Sequence, residues 1–277
     1  MTKPVQERDL ATRFLDAYNH LDRYMRTRLE EERQGVGHVQ LIKRLVQVDP
    51  VFRNRQAELE QLAHLRNAII HSPREPDGTP IAEPNEDVVR RYEELVSQVL
   101  RPALAKEFAV PAERIFTAKW TDRLHAVVTE MNRCVYTHVP ILEESRIIGV
   151  FSENTLFCAL AGKAAVDVND ETQVSEFREF APVSKHISEC FEFVAPDTTL
   201  ESVAELFAER LKLQQRLGAV FLTDDGTEAG RLLGLMTAWD AAGANLPLPK
   251  LTRHPIPEPS SSPPLPSSPP PRTPPIA

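Results

Sequence analysis

Apolar positions in residues 9–33 fall three and four apart: Leu10, Phe14, Leu15, Tyr18, Leu21, Met25 and Leu29. That spacing lines one face of a long helix. Gly35 and Gly37 follow it and supply the left-handed backbone of a helix end. A second helix is expected over 38–48, stopping before Asp49-Pro50. A third over 51–71 carries Leu59, Leu62, Leu65, Ile69 and Ile70, and a Pro/Gly-rich loop follows at 72–85. The capping run Asn85-Glu86-Asp87 opens a fourth helix over 86–108. Four helices with mostly short links predict an antiparallel four-helix bundle over 5–108.

From residue 110 the pattern changes. Short β-branched runs, at 114–116, 137–142, 147–151, 219–222 and 232–236, alternate with amphipathic stretches at 121–133 and 198–215. This predicts an α/β region over 110–245, and for the whole chain an α+β fold, helical first and mixed second. Residues 246–277 hold more than half of the chain's 24 prolines, interleaved with serine, and almost no large apolar residue. A disordered, partly polyproline-II tail is expected there.

Composition narrows the function classes. A length of 277 residues suggests two domains, and 42% hydrophobic residues suffice for packed cores. A formal charge of −8 argues against bulk attraction to nucleic acid or an anionic membrane. Cys134, Cys158 and Cys190 are odd in number and far apart, with no Cys-x-x-Cys, so neither a disulfide framework nor a metal site is expected. The charged N-terminus lacks a signal-peptide core, and no apolar run reaches membrane-spanning length. A cytoplasmic location without membrane contact is the expectation. Walker, Gly-x-Ser-x-Gly and zinc-protease motifs are missing.

The α/β region contains one unit twice, over 110–161 and 186–245. Leu124 aligns with Leu200, the helix positions Val127 and Met131 with Val203 and Leu206, and the run from Ile147 to Thr155 with that from Leu232 to Asp240. The shared order is strand, helix, strand, turn, strand, then Gly-x-x-[Ser/Thr]-x-x-[Asp] opening a helix. This order, with Gly234-Leu235-Met236-Thr237-Ala238-Trp239-Asp240, resembles a tandem pair of CBS domains, two β-α-β-β-α repeats. The resemblance implies paired clefts that in many members bind AMP, ATP, S-adenosylmethionine or cyclic dinucleotides, and it implies side-by-side homodimers. No cofactor beyond such a regulatory ligand is implied.

The chemistry fits the residue types. A carboxylate accepts ribose hydroxyls, and a hydroxyl beside free backbone N–H groups at a helix start suits a phosphate. Thr237 and Asp240 hold those positions in the second copy, with adenine expected against Val194-Ala195 and Leu217-Gly218-Ala219. In the first copy Ser152 keeps the hydroxyl, but Thr155 replaces the carboxylate; Thr117 and His138 are placed in the same cleft. An ordinary capping box between Thr237 and Asp240 is the competing explanation. The segment 162–191 either covers a cleft or only joins the copies.

The third predicted helix ends Leu65-Arg66-Asn67-Ala68-Ile69-Ile70-His71. Asn67 and His71 share a face, while Arg66 and His71 lie about 140° apart near the helix end. This run resembles the Arg-x4–6-His motif of the HEPN family of helical bundles, whose catalytic members are metal-independent ribonucleases. The resemblance implies His71 as general acid or base, Arg66 as phosphorane stabiliser and Asn67 as orienting residue. Against it, residues 1–108 carry 17 Lys and Arg against 18 Asp and Glu, without the basic excess of an RNA-cleaving surface. His71 bonding the last carbonyls of its helix explains the same residues. His64 lies two turns before His71, while His20, His38 and His125 belong to no constellation. Two readings result. One is a regulatory protein whose CBS pair senses an adenosyl ligand and controls a helical dimerisation or effector domain. The other is a nucleotide-gated ribonuclease of the toxin or defence type, the only reading with RNA as partner.

Overall fold

A computed structural model of the chain describes residues 9–31, 35–71, 83–161, 169–186 and 188–243. The proline-rich tail and residues 72–82 of the loop expected after the third helix lie outside these residues. The structure mixes helices and sheets in the expected order, helical first. The helical half contains α1 (Leu10–Arg28), α2 (His38–Val48), α3 (Pro50–Arg53), α4 (Gln56–His71) and α5 (Glu86–Leu100). Phe14, Leu21, Leu41, Phe52, Leu59 and Tyr92 bury in one core, where the Phe14 and Tyr92 rings pack 4.8 Å apart. Apolar burial of this kind is the main force holding short helices together.

Local chemistry moves the helix boundaries from those the periodicity predicts. The helix expected over 51–71 is two. Asp49 accepts the Val51 N–H at 2.9 Å, and Pro50 at the first helical position starts α3, which ends after one turn. The helix expected to run to 33 stops at Arg28, and Glu30 takes a left-handed backbone with φ 49°. The helix expected to run to 108 stops at Leu100, two residues before Pro102.

The α/β half contains β1 (Val110–Pro111), α6 (Leu124–Cys134), β2 (His138–Glu143), β3 (Arg146–Ser152), α7 (Glu153–Ala161), β4 (Cys190–Val194), α8 (Leu200–Lys212), β5 (Leu217–Thr223), β6 (Leu232–Met236) and α9 (Ala238–Gly243). The run 114–116, expected as a strand, lies in a 3-10 turn and the extended segment after it. One sheet has the order β1-β6-β5-β4, with β4 and β5 parallel and β6 antiparallel to β5. The other pairs β2 with β3, and Ala118 bridges to Ile141 in parallel. Each copy therefore runs extended segment, helix, hairpin, helix. β1 opens the first copy but pairs with β6 of the second, so the leading strand ties the two copies together. Phe191, Ala219, Phe221, Ile147 and Val150 fill the core between the sheets.

The halves also touch through charge. Arg55 of the helical half donates to Glu201 at 3.0 Å, and Arg53 pairs with Glu205, both acids on α8.

Candidate functional site

The turn from the last strand into the last helix differs between the copies. In the second copy, β6 ends at Met236 and Thr237 precedes α9. Asp240 Oδ2 accepts both the Thr237 N–H, at 2.7 Å, and the Thr237 hydroxyl, at 2.8 Å. The carboxylate thus folds back on the helix start as a cap does. Its other oxygen, Oδ1, has no partner among the described residues, and both side chains remain partly exposed. A cavity of about 620 Å³ between α8 and α9 reaches Leu217 and Ala238, the neighbour of Thr237.

The register decides which expected residues join this pair. Met236 lies opposite Val220, so Thr237 sits at the Gly218-Ala219 end of β5. Cys190 and Phe191, not Val194, lie beside Leu217 and Ala219 on β4. Val194 is level with Leu222, about 10 to 16 Å along the strand from Ala219 and Leu217. Ala195 instead packs at the β5–β6 turn, where a Cβ on Gly226 would come within 3.0 Å of its nitrogen. The structure therefore brings Leu217, Gly218, Ala219, Thr237 and Asp240 to one end of the sheet and puts Val194 and Ala195 at the other. The sequence shows both strands but not their parallel register, which is why the two sets look adjacent in it.

In the first copy the corresponding position is closed. Ser152 and Thr155 are each 1% exposed. The Ser152 hydroxyl donates to Glu189 at 2.6 Å, and the Thr155 N–H donates back to Ser152 Oγ at 3.2 Å. Glu189 comes from the segment just before β4. It supplies a carboxylate where the Thr155 position has none, and that carboxylate is fully engaged. His138 Nε2 and His186 Nδ1 each lie 2.9 Å from one of its oxygens. His186 Nε2 faces the Ala181 carbonyl at 3.2 Å, so both its nitrogens face acceptors. His138 takes its second bond with the Thr137 hydroxyl at 2.8 Å. Burial alone would raise the Glu189 carboxyl, but the bonds from His138, His186 and Ser152 outweigh it and hold the group far below its ordinary value.

The network also fixes a neighbour. A Cβ at position 218 would stand 2.7 Å from His138 Nε2 and 3.0 Å from Phe191, so only glycine fits where the second copy's β5 meets the first copy's histidine. Thr117 is half-buried next to Ala118, whose N–H bonds the Pro140 carbonyl at 2.9 Å, and it belongs to no described bond of this network. Glu189 and His186 were missed because they lie in the joining segment, where no periodicity marks them.

In the helical half, Arg66 and Asn67 are neighbours in space, with Arg66 Nη1 3.3 Å from Asn67 Oδ1 and the guanidinium 4.9 Å from the centre of the Tyr18 ring. His71 is the last residue of α4, and its side chain lies outside the described residues. His38, which no sequence pattern singles out, joins the other two. Its ring stacks on Tyr18 at 3.9 Å, and its Nδ1 lies 2.9 Å from Asp22. Tyr18, Gly37, His38, Arg66 and Asn67 line a cavity of about 450 Å³. His64 is exposed one turn away on α4.

Among the described residues no group of His, Cys, Asp and Glu is arranged to hold a metal ion, and no helix is long and apolar enough to cross a membrane. No protein-family model matches the chain, and no curated protein matches it. Solved structures to which it is similar include CBS-domain proteins. CBSX2 in complex with AMP is 18% identical, with a TM-score of 0.38 over 51% of this chain and 95% of that one. A CBS domain pair in complex with 5′-methylthioadenosine and S-adenosyl-L-methionine is 16% identical, with a TM-score of 0.35 over 51% and 94%. A protein of Methanocaldococcus jannaschii is 14% identical, with a TM-score of 0.39 over 65% and 62%.

Proposed function

We propose that the α/β half is a regulatory sensor of an adenine nucleotide or related adenosyl ligand, binding it at the second copy and acting on the helical half. The observation that carries this is the half-open Thr237–Asp240 pair, beside the closed position in the first copy. Oδ2 of Asp240 holds Thr237, while Oδ1 has no partner among the described residues and suits a ribose hydroxyl. The Arg55–Glu201 and Arg53–Glu205 pairs give α8 of the sensing copy a direct mechanical link to the helical half. The test is calorimetry with AMP, ATP, S-adenosylmethionine and cyclic di-AMP. Binding of one of them by the wild type and its loss in Asp240→Ala are expected; no binding of any, or binding that Asp240→Ala leaves unchanged, overturns the assignment.

The same reading includes a homodimer. Val135, Phe157 and Leu160 flank α6 and α7, and Leu211, Leu213 and Trp239 flank α8 and α9, each 65% exposed or more. Two apolar patches at matching places of a repeat suit a two-fold pair. Sedimentation of wild type and Trp239→Glu tests this: a dimer that the variant dissociates supports it, and a monomeric wild type sinks it.

A second reading, nucleotide-gated RNA cleavage by the helical half, is favoured by the cavity that Arg66 and Asn67 line. Incubation with total RNA beside His71→Ala decides it, since equal products from both proteins remove the reading.

A further inference from the structure

The cavity between α1, α2 and α4 has the features of a site for an oxyanion. It opens on the first turn of α2, an 11-residue helix whose N-cap Gly37 offers no side chain to its amides. The Gln40 and Leu41 N–H groups turn back to the Gly37 carbonyl, at 2.9 and 3.2 Å, which leaves the His38 and Val39 amides at the helix start. Those two N–H groups and the positive end of the helix dipole favour an anion. Arg66 adds a guanidinium and Asn67 a carboxamide from α4, and among the described residues no carboxylate lines the cavity. A position 37 without a Cβ keeps the mouth open, with nothing within 4 Å of where one would stand.

The second feature is His38. Its side chain is 3% exposed, with Nδ1 facing Asp22 Oδ1 at 2.9 Å. Because a carboxylate only accepts, Nδ1 carries a hydrogen, and a neutral ring leaves Nε2 as a bare lone pair. That Nε2 is buried, sits on the ring edge away from Asp22 and has no partner among the described residues. A buried acceptor with nothing to accept is uncommon in folded proteins. A proton on Nε2 would turn it into a donor for an anion brought against the ring.

We infer that this cavity binds a phosphate-type oxyanion through the His38 and Val39 amides, Arg66 and Asn67, and that binding places a proton on His38 Nε2. In the empty protein, burial holds the His38 imidazole below its ordinary value, with Arg66 and Arg26 adding to the effect and Asp22 opposing it. Asp22 and Arg26 from α1 are already paired with each other at 2.7 Å, Arg26 also holds the Val36 carbonyl at 2.8 Å, and Tyr18 stays a neutral phenol as burial pushes it up. The groups around His38 thus stay fixed, and an anion against Nε2 is the new charge that favours the imidazolium. One proton then enters with each anion, so the affinity rises about tenfold for each pH unit of descent while the empty ring is neutral. The inference needs only binding. It stands or falls apart from the sensor in the α/β half, and it shares Arg66 and Asn67 with the RNA-cleavage reading without requiring cleavage.

Titration of the full chain with sulfate, which keeps its charge between pH 6 and pH 8, separates His38 from the anion's own titration. Inorganic phosphate and a short single-stranded RNA form parallel arms that tell a free anion from a phosphodiester. The readout is the backbone amide resonances of His38 and Val39 at constant ionic strength. A saturable shift of both, tighter at pH 6 than at pH 8 and lost in Arg66→Gln, is expected in at least the sulfate and phosphate arms. His38→Gln, whose carboxamide can still bond Asp22, should keep weak binding and lose its pH dependence. Melting curves confirm that each variant is folded. No saturable shift, or one of equal strength at both pH values, or one that Arg66→Gln leaves intact, overturns the inference.

Discussion

The two repeats begin their last helices on the same sequence plan and end with opposite polar economies. The first buries Ser152 and Thr155 against a carboxylate borrowed from the joining segment, and two histidines complete that group. The second keeps its own carboxylate, Asp240, at a half-exposed helix start and bonds it only to Thr237. A duplicated unit can thus hold one copy as structural mortar between the sheets and leave the other open. The difference lies in where the carboxylate comes from. A group supplied across the repeat boundary locks the copies together, whereas a group supplied within the helix turn leaves its second oxygen for something else.

The largest test of this contrast is Glu189→Gln. Removing the carboxylate from this buried network leaves the groups that bond it without their acceptor, so about 3–5 kcal/mol of stability is expected to go, measured by urea unfolding. Its pH signature sharpens the point. Glu189 is lowered in the folded chain relative to its ordinary value of 4.5, so it binds protons more weakly folded than unfolded. Its contribution is therefore complete above that value and drains away as pH falls below it. Wild-type stability should fall steeply below about pH 4.5, and Glu189→Gln should flatten that limb. Equal acid limbs in both proteins would show that Glu189 is not the group holding the copies together.

Ser152→Ala is expected to cost about 1.5–3 kcal/mol, because it takes one donor from a buried carboxylate. The aligned change Thr237→Ala should cost less, because its partner is half-exposed and water can replace the hydroxyl. A larger loss at Thr237 than at Ser152 would invert the comparison. Gly218→Ala follows at about 1–3 kcal/mol from overpacking against His138 and Phe191. Much of that loss should return in a His138→Ala background, and strict additivity of the two would mean that the copies do not meet at this point.

Periodicity made much of the architecture legible. The apolar stripe of α1, the repeat and the helix-opening Thr237 and Asp240 all follow from spacing. What stayed hidden depends on long-range geometry. Val194 and Leu217 look like neighbours until the parallel register sets Cys190 beside Leu217. His38 looks isolated because Asp22 is 16 residues away and Arg66 on another helix. Glu189 and His186 sit in a segment without periodicity, where a buried charge network leaves no pattern on the chain. The break between α3 and α4 falls at Asn54-Arg55, whereas the start signal Asp49-Pro50 marks only where α3 begins, so nothing in the apolar spacing after it shows the interruption.

The smallest expected stability effect belongs to the residue with the largest expected functional one. Asp240→Ala removes a partly exposed cap on a six-residue helix, so about 0.5–1 kcal/mol is expected from urea unfolding. If Asp240 were only a cap, the variant would melt slightly earlier and bind any adenosyl ligand as well as the wild type. If Oδ1 holds a ribose, the same small change in stability comes with loss of binding, and the ligand-induced rise in melting temperature disappears, since that rise follows from binding to the folded state alone. Asp240→Asn separates the two roles further. Its carboxamide oxygen can still accept from Thr237 and so preserve the cap, but it brings an NH₂ donor and no charge to the ribose hydroxyls. A variant as stable as the wild type and blind to the ligand assigns the carboxylate to the ligand; one that keeps full affinity assigns it to the helix.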